Sequence, residues 1–287
     1  MKIYILPINK IFQPEKSQII YPSYNQDYGV EQDFLAFLIK NSQFLTENQK
    51  QANWHYLPIF WTRYFLNNNY SKNNLDILKT ECQQKIIDDK KTFTICQYDD
   101  GPLVALGKTR IFLSARKTEK GNDIPLLAKK IYPPFPYYFP KKYLASFVGR
   151  INTHPIRKKM TESIKNKNIK IIDQNLKFSK YKKILLQSYI SLCPRGYGGN
   201  SFRFYESMQL GVVPLLISDI DNRPFKNYIG WDQCSLFFSS SRIENINQFL
   251  EKQDLTKMIQ MGKQAKKIYK HKLEYQKWCQ LLINELE

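Results

Sequence analysis

No two cysteines of this chain stand in a C-x-x-C pair, and no two histidines in an H-x-x-x-H pair. The five cysteines, Cys82, Cys96, Cys193, Cys234 and Cys279, are widely spaced and odd in number. That argues against a disulfide framework or a zinc site and for a reducing compartment. His55, His154 and His271 are scattered, so the sequence offers no metal site. Long apolar runs are missing too: none reaches the roughly 18 residues that suggest a transmembrane helix. The opening Met1-Lys-Ile-Tyr-Ile-Leu-Pro7 is too short for a signal segment. A soluble, cytoplasmic protein without a transmembrane segment is the expectation. Neither G-x-G-x-x-G nor G-x-x-x-x-G-K-[ST] occurs, which speaks against a dinucleotide dehydrogenase or a P-loop kinase.

Acidic residues are in deficit. Against 25 Asp and Glu stand 44 Lys and Arg, a formal net charge of +19. Such a balance favours anionic partners: nucleic acid, anionic lipid, or phosphorylated or acidic small molecules. No zinc-finger spacing, RNP-like aromatic motif or basic heptad supports the nucleic-acid reading. Many lysines sit in Asn/Lys/Ile-rich stretches such as 165–170, where a compositional bias accounts for them equally well. A hydrophobic content of 43% places the chain among globular proteins rather than disordered ones.

Along the chain, strand-like and helical stretches alternate, which argues for parallel sheets. In the first half Lys2 to Pro7, Trp54 to Phe60, Thr92 to Gln97 and Arg110 to Ser114 read as strands, and Glu31 to Lys40 and Leu75 to Lys90 as helices. Residues 131–140 carry four prolines and cannot continue a helix or a central strand. They read as a linker between an N-terminal domain, 1–140, and a C-terminal domain, 141–270. In the second half Tyr143 to Val148, Ile169 to Ile172, Tyr189 to Cys193, Val212 to Ile217 and Ser235 to Phe238 read as strands. Helices are expected near Ile156 to Lys165, Lys177 to Gln187 and Ser201 to Leu210, and from Leu255 to the end. Pro214 demands a bulge or a strand start.

The most informative stretch is Cys193-Pro-Arg-Gly-Tyr-Gly-Gly-Asn-Ser-Phe-Arg-Phe-Tyr-Glu206, closed by Gly211-Val-Val-Pro-Leu-Leu-Ile-Ser-Asp219. A strand enters a glycine-bearing loop, and the loop enters a helix N-terminus, which is a ready anion site. Arg195 and Arg203 add planar forks suited to phosphate oxygens. Glu206 lies one turn after Arg203, on about the same face. Cations for a diphosphate and a carboxylate for ribose hydroxyls make chemical sense of the set. The plainer alternative is surface arginines, with Glu206 paired to Arg203.

These residues resemble the signature of the exostosin family, glycosyltransferase family 47: C-P-R-G…S-F-R-F-x-E…G-x-V-P-x-x-x-S-D. Arg223-Pro-Phe225 and Trp231-Asp232 resemble its L-P-F and D-W elements, and Ala145-Ser-Phe-Val-Gly149 with Arg157 its F-x-G…R segment. Asp123-Ile-Pro125 is a shortened form of its D-x-x-I-P element. The resemblance implies a GT-B fold, two Rossmann-like domains whose parallel sheets face a central cleft, with the last helix, 271–287, packing back on the first domain. It implies an inverting transfer, with no cofactor and no metal, from a nucleoside diphosphate sugar to a hydroxyl of a glycan or glycoprotein. UDP-xylose, UDP-galactose and UDP-glucuronic acid are the donors it suggests.

On that reading Arg157, Arg195, Asn200, Ser201, Arg203, Glu206 and Asp219 bind the donor. Arg157 is equally well read as a solvated arginine of the run Arg157-Lys158-Lys159. The general base would come from the first domain. Asp99 and Asp100, in Gln97-Tyr-Asp-Asp-Gly-Pro102, are candidates, although paired acids before Gly-Pro are also ordinary turn chemistry. Glu31 is a third candidate and equally a helix-start residue. Asp219-Ile-Asp221 invites a D-x-D metal reading, which the resemblance turns into a loop with a sugar contact from Asp219. The alternative from another class is a polyanion- or nucleic-acid-binding protein on a Rossmann-like scaffold.

Overall fold

The computed structural model describes residues 1–15, 29–119, 121–126, 128, 130–132 and 139–287. Two compact α/β units account for the chain: Met1–Leu127 together with Tyr275–Glu287, and Ala128–Glu274. Most of the proline-rich stretch, 133–138, lies outside the described residues.

The first unit runs β1 (Ile3–Ile5), α1 (Val30–Lys40), β2 (Trp54–Tyr56), α2 (Trp61–Asn67), α3 (Leu75–Lys85), β3 (Thr92–Cys96), β4 (Arg110–Leu113) and β5 (Asn122–Asp123). Its five strands pair in parallel, in the order β1-β2-β3-β4-β5. β3 is buried at every position, as a central strand covered on both faces must be. The expected helix after Leu75 ends at Lys85, because Asp88 caps a separate short turn over Asp89–Lys91. The second strand likewise ends at Tyr56, and Trp61–Asn67 is helical.

The second unit runs β6 (Tyr143–Val148), α4 (Pro155–Ser163), β7 (Ile169–Ile172), α5 (Phe178–Leu186), β8 (Ser188–Pro194), α6 (Phe202–Leu210), β9 (Val213–Ser218), β10 (Leu236–Ser239), α7 (Ile246–Glu251) and α8 (Leu255–Ile268). All strand pairs are parallel, in the order β10-β9-β8-β6-β7. Pro214 is the second residue of β9, at the start of the strand, where its missing N–H costs the ladder least. Apolar side chains of α4, α7 and α8 cover one part of this core, and α5 with the end of α6 another. The chain closes with α9 (Lys277–Leu286), which is part of the first unit. There Trp278 stacks with Phe34 (6.1 Å), and the Trp54 indole N–H donates to Leu286 O at 2.8 Å. Two Rossmann-like α/β units, each built on a five-stranded parallel sheet, give the fold class expected of the sequence. No helix among the described residues is long and apolar enough to cross a membrane.

Candidate functional site

The strand order of the second unit reverses between β6 and β8. From β6 the chain passes outward to β7, then returns to the other side of β6 and continues through β8, β9 and β10. In doubly wound sheets ligands bind outside the carboxyl ends of the strands at such a switch point. The two loops concerned follow Val148 and Pro194, and the quoted sequence motifs supply both.

Arg203, on the first turn of α6, reaches back to the end of β6, where it donates from Nη2 to Val148 O and lies 4.8 Å over the Phe147 ring. Gly149 makes room for it. At φ 152° its backbone is one that side chains rarely adopt, and a Cβ there would stand 2.6 Å from Arg203 Nη2. Arg157 projects from α4 towards the same ring, 5.8 Å away, and is buried. Its Nε donates to Arg195 O (3.0 Å), Nη1 to Arg150 O (3.0 Å) and Nη2 to Pro194 O (3.4 Å). One guanidinium thus ties the loop after β6 to the loop after β8. That is a positioning role, and it replaces the picture of a solvated arginine.

Arg195 is 6% exposed. Its backbone N–H donates to Ile217 O, extending the ladder beyond β8, and its Nη1 donates to both Asp219 oxygens at 2.5 and 2.7 Å. Burial is the largest single influence on the Asp219 carboxyl and would raise it, but the hydrogen bonds and charge of Arg195, a backbone N–H and the Ser218 hydroxyl together outweigh it and hold the group below the usual carboxylate range. Asn200 donates to the Tyr205 hydroxyl (3.1 Å) and accepts from the Ser201 N–H (2.8 Å). Ser201 is the extended N-cap of α6, yet its side chain makes no capping bond to the helix. Glu206, 2% exposed, accepts from the Tyr181 hydroxyl at 2.6 Å through Oε2. Its Oε1 and the Nε of Arg195 are buried and have no hydrogen-bond partner among the described residues. Buried polar atoms left in that state cost about 1–3 kcal/mol each, which a bound ligand can recover.

The Asp219-Ile-Asp221 pair is engaged by arginines. Asp221 takes a two-pronged contact from Arg223, Nε to Oδ1 at 2.9 Å and Nη2 to Oδ2 at 2.8 Å. Among the described residues no group of three or more His, Cys, Asp or Glu could hold a metal ion.

The three acids considered as bases lie in the first unit. Asp99 and Asp100 occupy the middle of a turn closed by Gly101 N–H to Tyr98 O (3.0 Å), with Gly101 at φ 75°. Asp100, half exposed, pairs with Lys117 at 2.5 Å. Glu31 is fully buried at the start of α1. It accepts from Thr62 N–H (3.1 and 3.2 Å), Thr62 Oγ1 (2.9 Å) and Gln97 N–H (2.8 Å). That carboxyl stitches α1 to the start of α2 and the end of β3 and has no surface open to a substrate. Burial pushes it up to about 8, against the opposing pull of its donors.

The native state therefore holds a proton that the unfolded chain has released. Stability should fall as pH rises from about 4.5 to about 8, by up to about 1.4 kcal/mol per pH unit, and then level off. Chemical denaturation across this range should show the decline, and Glu31→Gln should flatten it. A flat wild-type profile would contradict this protonation state.

Sequence reasoning found the arginines, but it missed Phe147 as their shared platform and Tyr181 as the partner of Glu206. Phe147 lay inside a quoted motif, whereas nothing in the sequence marked Tyr181.

Residues 139–253 match the Exostosin GT47 domain, and this stretch contains every element of the switch-point site. The chain is exostosin-like there. Over 75 residues it is 33% identical to an Arabidopsis thaliana protein named a probable glucuronoxylan glucuronosyltransferase, covering 26% of this chain and 16% of that one. Over 282 residues it is 23% identical to a probable glycosyltransferase of the same plant, covering 85% of this chain and 53% of that one. The chain thus spans about half of the latter relative's length and a smaller part of the former. Among solved structures TarM aligns with a TM-score of 0.43 at 10% identity, over 77% of this chain and 60% of that one.

Proposed function

We propose that this protein is a glycosyltransferase whose second unit binds a nucleoside diphosphate sugar at the β6–β8 switch point. The sugar passes, with inversion, to a hydroxyl of a glycan. The observation that carries the reading is the pair of buried, unsatisfied polar atoms in the motif, Arg195 Nε and Glu206 Oε1, each left over on a side chain whose other polar atoms are engaged. A diphosphate and a ribose hydroxyl would complete them. The Exostosin GT47 match over the same residues and the glycosyltransferase names of the relatives support it.

As the bond to the anomeric carbon breaks, charge gathers on the leaving diphosphate. In this reading Arg195, Arg203 and the amides of the first turn of α6 absorb it. Arg157 keeps the two loops in register. Because Asp219 and Asp221 already face guanidinium groups, the reaction is proposed to run without a metal. Turnover should persist in excess chelator, and loss reversed by manganese would overturn that point. Asp100, half exposed on its turn, is the proposed base, with Asp99 beside it. Asp100→Asn should keep donor affinity and lose turnover, and unchanged turnover would remove Asp100 from the mechanism.

A thermal-shift screen over UDP-xylose, UDP-galactose and UDP-glucuronic acid tests the main reading. A ligand at 100 times its Kd adds about 2.7 kcal/mol to the native state, so one donor should raise the melting temperature by several degrees. No shift with any nucleoside diphosphate would end it.

A further inference from the structure

The helix α8 ends in a turn of another pitch. Tyr269–Leu273 winds as a π-turn, closed by the Glu274 N–H on Tyr269 O at 2.9 Å. Single π-turns at the end of an α-helix are rare, and they are frequent at functional sites. Here the turn packs against α6, the helix that carries Arg203 and Glu206.

The packing of α8 on α6 fixes which residues meet. Gly262, Ala265 and Tyr269, spaced by three and four, are buried and share one face of α8. Gly262 stands against Gly211, the residue that closes α6. Because the π-turn beyond it also touches α6, the two helices run antiparallel. Tyr269 lies about 10 Å along α8 from Gly262, and Glu206 about 8 Å back along α6 from Gly211. The phenol and the carboxylate are therefore neighbours across the helix pair. Electrostatics agrees: burial raises the Tyr269 phenol above its usual range, and the charges of Glu274 and Glu206 add to the rise.

Both side chains are short of a partner. Tyr269 is 8% exposed, and among the described residues its hydroxyl makes no hydrogen bond. A buried tyrosine hydroxyl usually makes one. On the other side of Glu206 the Tyr181 hydroxyl already donates to Oε2, which leaves Oε1 as an acceptor without a donor. A ligand group seated here must donate to the carboxylate and also bond a phenol. A phosphate would be repelled by Glu206. A pair of adjacent hydroxyls meets both demands, one on Glu206 Oε1 and the other on Tyr269.

We infer that Tyr269 is the second half of a ribose clamp: with Glu206 it holds the 2′,3′-diol of the nucleotide and selects ribonucleoside over deoxyribonucleoside diphosphates. The inference rests on the donor reading above and adds to it the residue that sets this selectivity.

The test is calorimetric titration of the full chain with UDP, 2′-deoxy-UDP and 3′-deoxy-UDP. The wild type should prefer UDP to both. The preference should be about tenfold over the form that lacks the hydroxyl on Glu206, a charge-assisted bond, and about fivefold over the other. Tyr269→Phe removes the hydroxyl and keeps the ring. It should bind UDP about fivefold more weakly and lose nothing against the deoxy form that already lacks the tyrosine's partner. Free of ligand it should melt no lower than the wild type, because the lost hydroxyl bonds nothing in the protein. A folded Tyr269→Phe protein with wild-type UDP affinity would overturn the inference. So would an equal loss for all three nucleotides, which would place the effect in the packing of the ring. A wild type that binds both deoxy forms as tightly as UDP would overturn it without any variant. A wild type that does not bind UDP at all would strike the donor reading itself, and the clamp with it.

Discussion

Replacing Arg203 by alanine should weaken UDP binding about a hundredfold, close to 3 kcal/mol. The side chain stands at the switch point, half-buried, with Nη2 on Val148 O and its plane over Phe147. A guanidinium so fixed meets a diphosphate with little rotamer freedom left to lose, and its hydrogen bonds to phosphate are charge-assisted. Arg203→Lys should recover only part of the loss, because a single ammonium cannot hold the carbonyl and a phosphate oxygen in the same fork geometry. The alanine variant also gives up the contact with Phe147, so its melting temperature belongs beside the titration. A folded Arg203→Ala protein with wild-type UDP affinity would remove this residue from the site.

Gly262→Ala should destabilise the second unit by about 1–3 kcal/mol, the usual cost of overpacking a filled contact. A Cβ at this position of α8 would stand 2.3 Å from Gly211 O and 3.1 Å from its carbonyl carbon. Gly211 ends α6 in a left-handed conformation, φ 72°, with its N–H donated to Met208 O, so the obstructing atom is backbone held in a helix cap. No flexible side chain can swing away, and α8 itself must lift from α6 and β9. Calorimetry should show a fall of several degrees in melting temperature. A variant as stable as the wild type would mean that the two segments do not approach this closely.

The fold was legible where a segment is short, mainly apolar and bounded by clear breaks. β6 and β7 have the residue limits expected from sequence, because short β-branched and aromatic runs between polar stretches leave little else for them to be. α2 escaped for the opposite reason. Six of its seven residues are buried, so Trp61-Thr-Arg-Tyr-Phe-Leu-Asn67 shows no polar face and hence no helical period.

The candidate site was legible as far as one loop and one helix could carry it. Arg195, Arg203 and Glu206 follow from local spacing. Their separate engagements do not, although Arg203 and Glu206 are one turn apart: Arg203 turns to β6 and Glu206 to Tyr181 of α5. Such contacts depend on which strands lie side by side, and a parallel sheet brings together segments far apart in sequence, as Tyr143 with Ser188 and Ile190 with Val213. Arg157 became a tie between two loops for the same reason, and Glu31 became an internal stitch because Thr62 and Gln97 converge on it from two other elements.

A crystal structure with UDP bound to the full chain bears most directly on the central claim. The account expects the diphosphate against Arg203, Arg195 and the start of α6, and a ribose hydroxyl within hydrogen-bonding reach of Glu206 Oε1. UDP seated away from the carboxyl ends of β6 and β8, with Glu206 Oε1 and Arg195 Nε satisfied by the protein's own groups, would contradict it.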